Sequence, residues 1–226
     1  MDFGDVDRGT PGGSLLREHQ QRRATHEQQV RSRHPRLAGL LLALRDEPAT
    51  TANLRRGAIG EAKVAERLVR RCGDEVEFLF NRRLSARGRD GDIDVLAVAA
   101  TGVHVIDVKH YRRAPVRVRR TGGLITASEE QLLIRGRDHS RLLESVQRQH
   151  DAVRRVLDRS PHGTSVPIHL ALCFVDADLP LIADRIGRVA IRGPRDVARR
   201  LRKPGPLGPA ARDELIRHLA VQFPAA

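Results

Sequence analysis

The chain has no tryptophan, and aromatic residues make up 3% of its 226 residues. That poverty argues against a stacking platform for single-stranded nucleic acid, where aromatic faces hold the bases. The core must then be built from Leu, Val, Ile and Ala, with Phe78, Phe80, Phe174 and Tyr111 as core or site-edge residues. The two cysteines, Cys72 and Cys173, are far apart and outside any CxxC pair, which excludes a disulfide framework or a zinc-finger spacing and points to reduced core thiols. Also absent are a phosphate-binding GKS/GKT loop, an HExxH helix and an internal repeat. The longest apolar run in the first 90 residues, 37–44, is far short of the roughly 20 residues that span a bilayer. With an acidic, glycine-rich start and no apolar leader segment, the reading is a soluble, cytoplasmic protein without a membrane span.

Lysine is the other scarcity. Of 41 basic residues only Lys63, Lys109 and Lys203 are lysine; the rest are arginine. Net charge is +13 and the pI about 11.3, which favours polyanionic partners, nucleic acid first and an anionic membrane surface second. Where arginine is the default cation, a lysine stands for a compact point charge with a tunable pKa.

Lys109 closes the apolar segment 103–108, and Asp107 lies two residues before it. Thirteen positions before Asp107 stands Asp94, in Gly91-Asp92-Ile93-Asp94-Val95-Leu96. Residues 92–98 and 103–109 flank Ala99-Ala100-Thr101-Gly102, which is a hairpin signal. With the turn centred between Ala100 and Thr101, residue i faces residue 201 − i, so Asp94 meets Asp107 and Asp92 meets Lys109. Alternation then puts Asp92, Asp94, Asp107 and Lys109 on one face, and Ile93, Val95, Ala97, His104, Ile106 and Val108 on the other. Two opposed carboxylates in an apolar hairpin need a counter-ion, a shared proton or a metal. Oxygen-only ligands suit Mg²⁺ or Mn²⁺. The alternative is a salt-bridged strand end with no chemistry.

Asp94 followed by Asp107-x-Lys109 resembles the PD-(D/E)xK nuclease signature. The wider stretch, about 57–157, resembles the NERD (nuclease-related) domain of that superfamily: Gly57-Ala58-Ile59-Gly60-Glu61, then Asp92-Ile93-Asp94, then Gly102 to Lys109. Two positions depart from the family pattern. Asp92 stands where Asn or Gln often precedes Ile-Asp, and Lys109-His110-Tyr111 replaces a Lys-Asn-Tyr-like continuation. The resemblance implies an α/β, restriction-endonuclease-like mixed central sheet flanked by helices. It implies metal-dependent hydrolysis of phosphodiester bonds in nucleic acid, DNA favoured over RNA, with Asp94, Asp107, Lys109 and Glu61 catalytic and Asp94, Asp107 and Glu61 holding the metal. Asp92 is an auxiliary candidate, and Gln147 is the glutamine expected on the helix after the catalytic strands. The alternative is a catalytically weak module that binds nucleic acid or recruits a partner.

Arg82, Arg83, Arg87 and Arg89 load the loop leading into Asp92 and are candidate phosphate contacts. The run Arg199-Arg200-Leu201-Arg202-Lys203 is a charge cluster near the end, either solvated or a phosphate contact. Residues 1–13 lack periodicity and read as disordered, 14–52 as a helical extension available to a protein partner or a second copy, and 53–226 as the α/β domain.

Overall fold

The computed structural model describes residues 6–33, 49–84, 91–121, 129–160, 165–180 and 184–226. The apolar run 37–44, with the part of the expected extension around it, and Arg87 and Arg89 lie outside the described residues.

Six strands form a mixed sheet: β1 (Glu77–Arg83), β2 (Asp92–Ala99), β3 (Gly102–His110), β7 (Ile168–Val175), β9 (Val189–Arg192) and β8 (Asp184–Ile186), in that spatial order. β1, β2 and β3 run antiparallel, β7 and β9 continue parallel to β3, and β8 closes the edge antiparallel. β4 (Val116–Thr121), β5 (Glu129–Ile134) and β6 (Arg137–Asp138) form a separate three-stranded sheet. This is the mixed α/β architecture with flanking helices and an N-terminal helix that the resemblance implies.

The sheet is covered on both faces, as strands apolar on both sides require. One face packs Leu96, Val98, Val103, Val105 and Leu172 against α3 (Arg141–Leu157) and α5 (Pro209–Gln222). The other packs Val95, Ala97, Ile106, Val108 and Cys173 against α2 (Ala49–Cys72) and α4 (Pro194–Leu201). Phe78, Phe80 and Phe174 are core, and both cysteines are buried free thiols. Burial pushes the Cys72 thiol up to about 11, which keeps it inert.

The strict alternation expected along β2 breaks at Asp94. Ile93 packs with Leu96 and Val98, not with Val95. Across the ladder β1 skips Asn81, whose φ is +51°. A left-handed residue opposite Asp94 locally twists the pair and turns Ile93 to the other face.

α1 (Gly13–Arg33) lies on α2. The disorder expected through residue 13 does not hold for residues 6–12. The Arg8 carbonyl accepts the Phe80 N–H at 2.8 Å, the Arg8 guanidinium meets Glu77 at 2.8 Å, and Val6 packs on the core. Hydrogen bonding to an open strand edge orders a segment whose composition alone does not.

Candidate active site

The β2–β3 register is the one expected, Val95 opposite Ile106 and Val98 opposite Val103. The ladder stops at Val95–Ile106, one step before Asp94 and Asp107. There Asp94 Oδ2 accepts the Val108 N–H at 2.6 Å, so a side chain occupies a backbone donor at the strand ends. Lys109 Nζ lies 2.6 Å from Asp107 Oδ2. Asp107 is 3% exposed, and beyond that ion pair its buried Oδ2 has no hydrogen-bond partner.

Glu61 is brought in by α2 and is 5% exposed. Its Oε2 accepts the Gly12 N–H at 3.0 Å. The two glycines before it make close approaches possible. A Cβ at Gly60 would sit 2.8 Å from the His110 Cβ, and one at Gly57 would sit 2.7 Å from Leu15 Cδ1. The glycine pair thus seats the end of β3 and the start of α1 against the turn of α2 that carries Glu61. His110 fastens the same junction, its ring nitrogens facing the Arg56 carbonyl at 2.9 Å and Asp176 Oδ2 at 3.0 Å. Lys63 meets that same Asp176 oxygen at 3.0 Å.

The site's electrostatics follow from crowding acids in a confined place. Burial, then the neighbouring Asp94, push the Glu61 carboxyl up to about 9. Burial and Asp107 push Asp94 up to about 7, against the opposing pull of Lys109 and the Val108 N–H. Burial alone would lower Lys109, but Asp107 and Asp94 outweigh it and hold the ammonium above its ordinary range. The two carboxylates thus favour the charged form of Lys109.

Gln147 is exposed and bonds Asp151 on its own helix. The glutamine of this helix that meets Asp107 is Gln149. It is 2% exposed, and its Nε2 donates to Asp107 Oδ1 and to the Asp92 carbonyl, each at 3.3 Å. Val146, Gln149 and Val153 share one stripe of α3, and a polar residue on that apolar stripe was the available signal. Asp92 contributes its backbone oxygen to Gln149 and its charge to Asp94.

The expectation of a phosphate contact fails at the first arginine of the basic loop. Arg82 is 1% exposed, and its guanidinium donates to the carbonyls of Asp7 and Phe223, tying the chain's two outer segments to β1. It is a structural residue out of reach of a phosphate. Arg83 is exposed and pairs in register with Asp92. The arginines that do border the acids are Arg56, Arg112, Arg135 and Arg137, around a cavity of about 980 Å³ that Glu61, Asp94 and Lys109 also line. Tyr111 and His139 meet edge to face on its wall.

The nuclease-related domain family matches residues 56–175, just over half of the chain and all the elements from the glycine pair to β7. The chain belongs to this family. Its domain is of the PD-(D/E)xK-like nuclease type, whose members generally use divalent metals. No curated protein and no solved structure matches the chain. Within this nuclease-related domain the three expected ligands, Glu61, Asp94 and Asp107, share one electrostatic neighbourhood. They are not a ready-made cage: among the described residues no three carboxylate, His or Cys groups stand in metal-holding positions. Each acid instead has a protein donor, from Gly12, Val108, Gln149 or Lys109. The donor chemistry nonetheless fits a hard cation. The ligands are all oxygen, two carboxyls carry excess proton affinity, Asp107 Oδ2 is met by the Lys109 ammonium alone, and Gln149 Oε1 is a buried acceptor without a hydrogen-bond donor. No helix of the described residues is long and apolar enough to cross a membrane.

Proposed function

We propose that this protein is a divalent-metal-dependent nuclease hydrolysing phosphodiester bonds of nucleic acid, with DNA as its substrate. The observation that carries this is the Asp107–Lys109 ion pair, whose lysine lines one arginine-rimmed cavity with Asp94 and Glu61.

Asp94 and Asp107, with Glu61, would hold Mg²⁺ or Mn²⁺. Bound there, the cation supplies Lewis-acid stabilisation of the phosphoryl group and acidifies a water. Lys109 contributes a permanent charge toward the phosphate oxygens as negative charge develops. Gln149 orients Asp107 from behind and fixes the strand ends through the Asp92 carbonyl. Arg56, Arg112, Arg135 and Arg137 meet the nucleic-acid backbone, with Arg83 as the remaining contact from the basic loop. We take residues 53–226 as the nuclease-like domain and 14–52 as its extension. Among the described residues of α1, Leu16 is the large hydrophobic side chain that stands exposed.

A second reading has one observation in its favour. Glu61 favours its protonated form near neutral pH, Asp94 is shifted toward its own, and Glu61 is engaged by Gly12. A module that binds nucleic acid or a partner with little turnover fits that state. Linear, supercoiled and single-stranded DNA and RNA, incubated with Mg²⁺ or Mn²⁺ beside Asp107→Ala and Lys109→Ala, separate the two. Cleavage lost in both variants supports the nuclease; binding that persists without cleavage by the parent supports the module.

A further inference from the structure

Lys63 pairs with Asp176 and Lys109 with Asp107, leaving the third of the rare lysines, Lys203. It lines a second cavity, of about 490 Å³, on the face of the sheet covered by α4. The β8–β9 hairpin brings Arg185, Arg188 and Arg192 to this cavity, and the end of α4 brings Arg200 and Lys203. No carboxylate lines it among the described residues. Arg185 donates to the Gly187 carbonyl and Arg192 to the carbonyls of Asp184 and Ile191, contacts that orient the guanidinium groups without neutralising them. Arg188, Arg200 and Lys203 make no ion pair among the described residues.

The floor is a histidine pair. The rings of His104 and His169 lie 4.6 Å apart, with His104 Nε2 2.8 Å from Thr101 Oγ1 and His169 Nε2 3.1 Å from the Thr101 carbonyl. Burial, His169 and Arg200 hold His104 down to about 3, so the ring stays neutral and offers a rigid polar surface. Ile168, Ala190 and Val197 add apolar wall. His104 precedes Asp107 by three residues on β3, about 10 Å along an extended strand, and none of the acids lines this cavity.

We propose that this cavity is a second anion site that binds a phosphorylated small molecule of the nucleotide class, its phosphates held by Arg188, Arg200 and Lys203. Unpaired cations converging on a concave wall suit clustered phosphate oxygens. The volume falls within the roughly 300–1,000 Å³ common for small-ligand pockets. The site owes nothing to the nuclease reading.

Calorimetric titration of the full chain in EDTA, with ATP and with inorganic pyrophosphate, tests it while any divalent cation is withheld. Saturable, micromolar binding of either is expected. Arg188→Ala/Arg200→Ala should weaken it roughly tenfold or more, and Lys203→Ala less. Arg199→Ala removes an equal charge from the same helix, but Arg199 pairs with Asp196 and does not line the cavity, so it should change binding less than about twofold. Asp107→Ala should leave binding intact. Arg188, Arg199, Arg200 and Lys203 are exposed, and melting curves report whether each variant is folded. No saturable binding overturns the proposal. So does equal weakening by Arg199→Ala, which would mark general charge attraction. Binding of a single-stranded oligonucleotide but of neither small anion also overturns it, and assigns the cavity to a nucleic-acid backbone.

Discussion

At the end of β3, Glu61, Asp94 and Lys109 line a cavity, with Asp107 buried and paired to Lys109; further back on the same strand, five cations line a cavity without an acid among the described residues. The arginines and lysine of the second cavity are largely solvated, so their mutual repulsion is weak and costs the fold little. The acids of the first are withdrawn from water, and their cost appears as displaced proton affinities. Perturbed titration therefore finds one kind of site and passes over the other. A solvated cluster of like charge shows itself through convergence and missing partners instead.

The strongest way to break this contrast is through the buried acids. If they do chemistry, Asp107→Ala and Lys109→Ala should each lower DNA cleavage by at least about 100-fold while leaving anion binding at the second cavity unchanged. A variant retaining cleavage within a few-fold would place the chemistry elsewhere.

Next comes the support behind Asp107. Gln149→Ala should lower cleavage roughly 10- to 100-fold, and Gln147→Ala less than about twofold, in a matched kcat/KM assay. Equal effects would remove Gln149 from the site.

The charge state of the first cavity can be read from stability alone. Glu61 rises from 4.5 to about 9 and Asp94 from 3.8 to about 7 on folding. The folded protein thus holds more protons than the unfolded chain across this window. The contribution of these two groups is fully present below about pH 4 and is lost as pH climbs through 7 and then 9. Without metal, chemical denaturation should show stability declining from pH 5.5 to pH 9. Glu61→Gln should flatten the decline and add about 1–3 kcal/mol at pH 8. Mg²⁺ should stabilise more at pH 8 than at pH 5.5, because binding must displace protons. A slope of the opposite sign would mean that these carboxyls are already balanced.

The smallest expected effect concerns packing. Gly60→Ala places a Cβ 2.8 Å from the His110 Cβ, and should cost about 1–2 kcal/mol in thermal melts. Gly57→Ala meets only the end of the Leu15 side chain and should cost less.

Much of this was legible from residues. The hairpin register could be read because a short glycine-containing turn and alternating strands leave few pairings, and the observed partners sum to 201 as expected. Other features arise only from closure of the chain. Arg82 looks like a loop cation until segments around Asp7 and Phe223 cover it. The turn of Ile93 depends on a left-handed Asn81 in the neighbouring strand. Gln149 was readable and missed, since Val146 and Val153 bracket it at helical spacing while Gln147 does not share their stripe.

The bond from the Val108 amide to the Asp94 carboxylate makes that amide a sensor. Most amides in a sheet owe their slow hydrogen exchange to a carbonyl on the next strand; this one owes it to an ionisable group. Titrating Asp94, or engaging its oxygens with a cation, should move the Val108 proton resonance and its exchange rate more than those of its strand neighbours. A single NMR signal would then report occupancy at the heart of the molecule, with no substrate and no turnover needed.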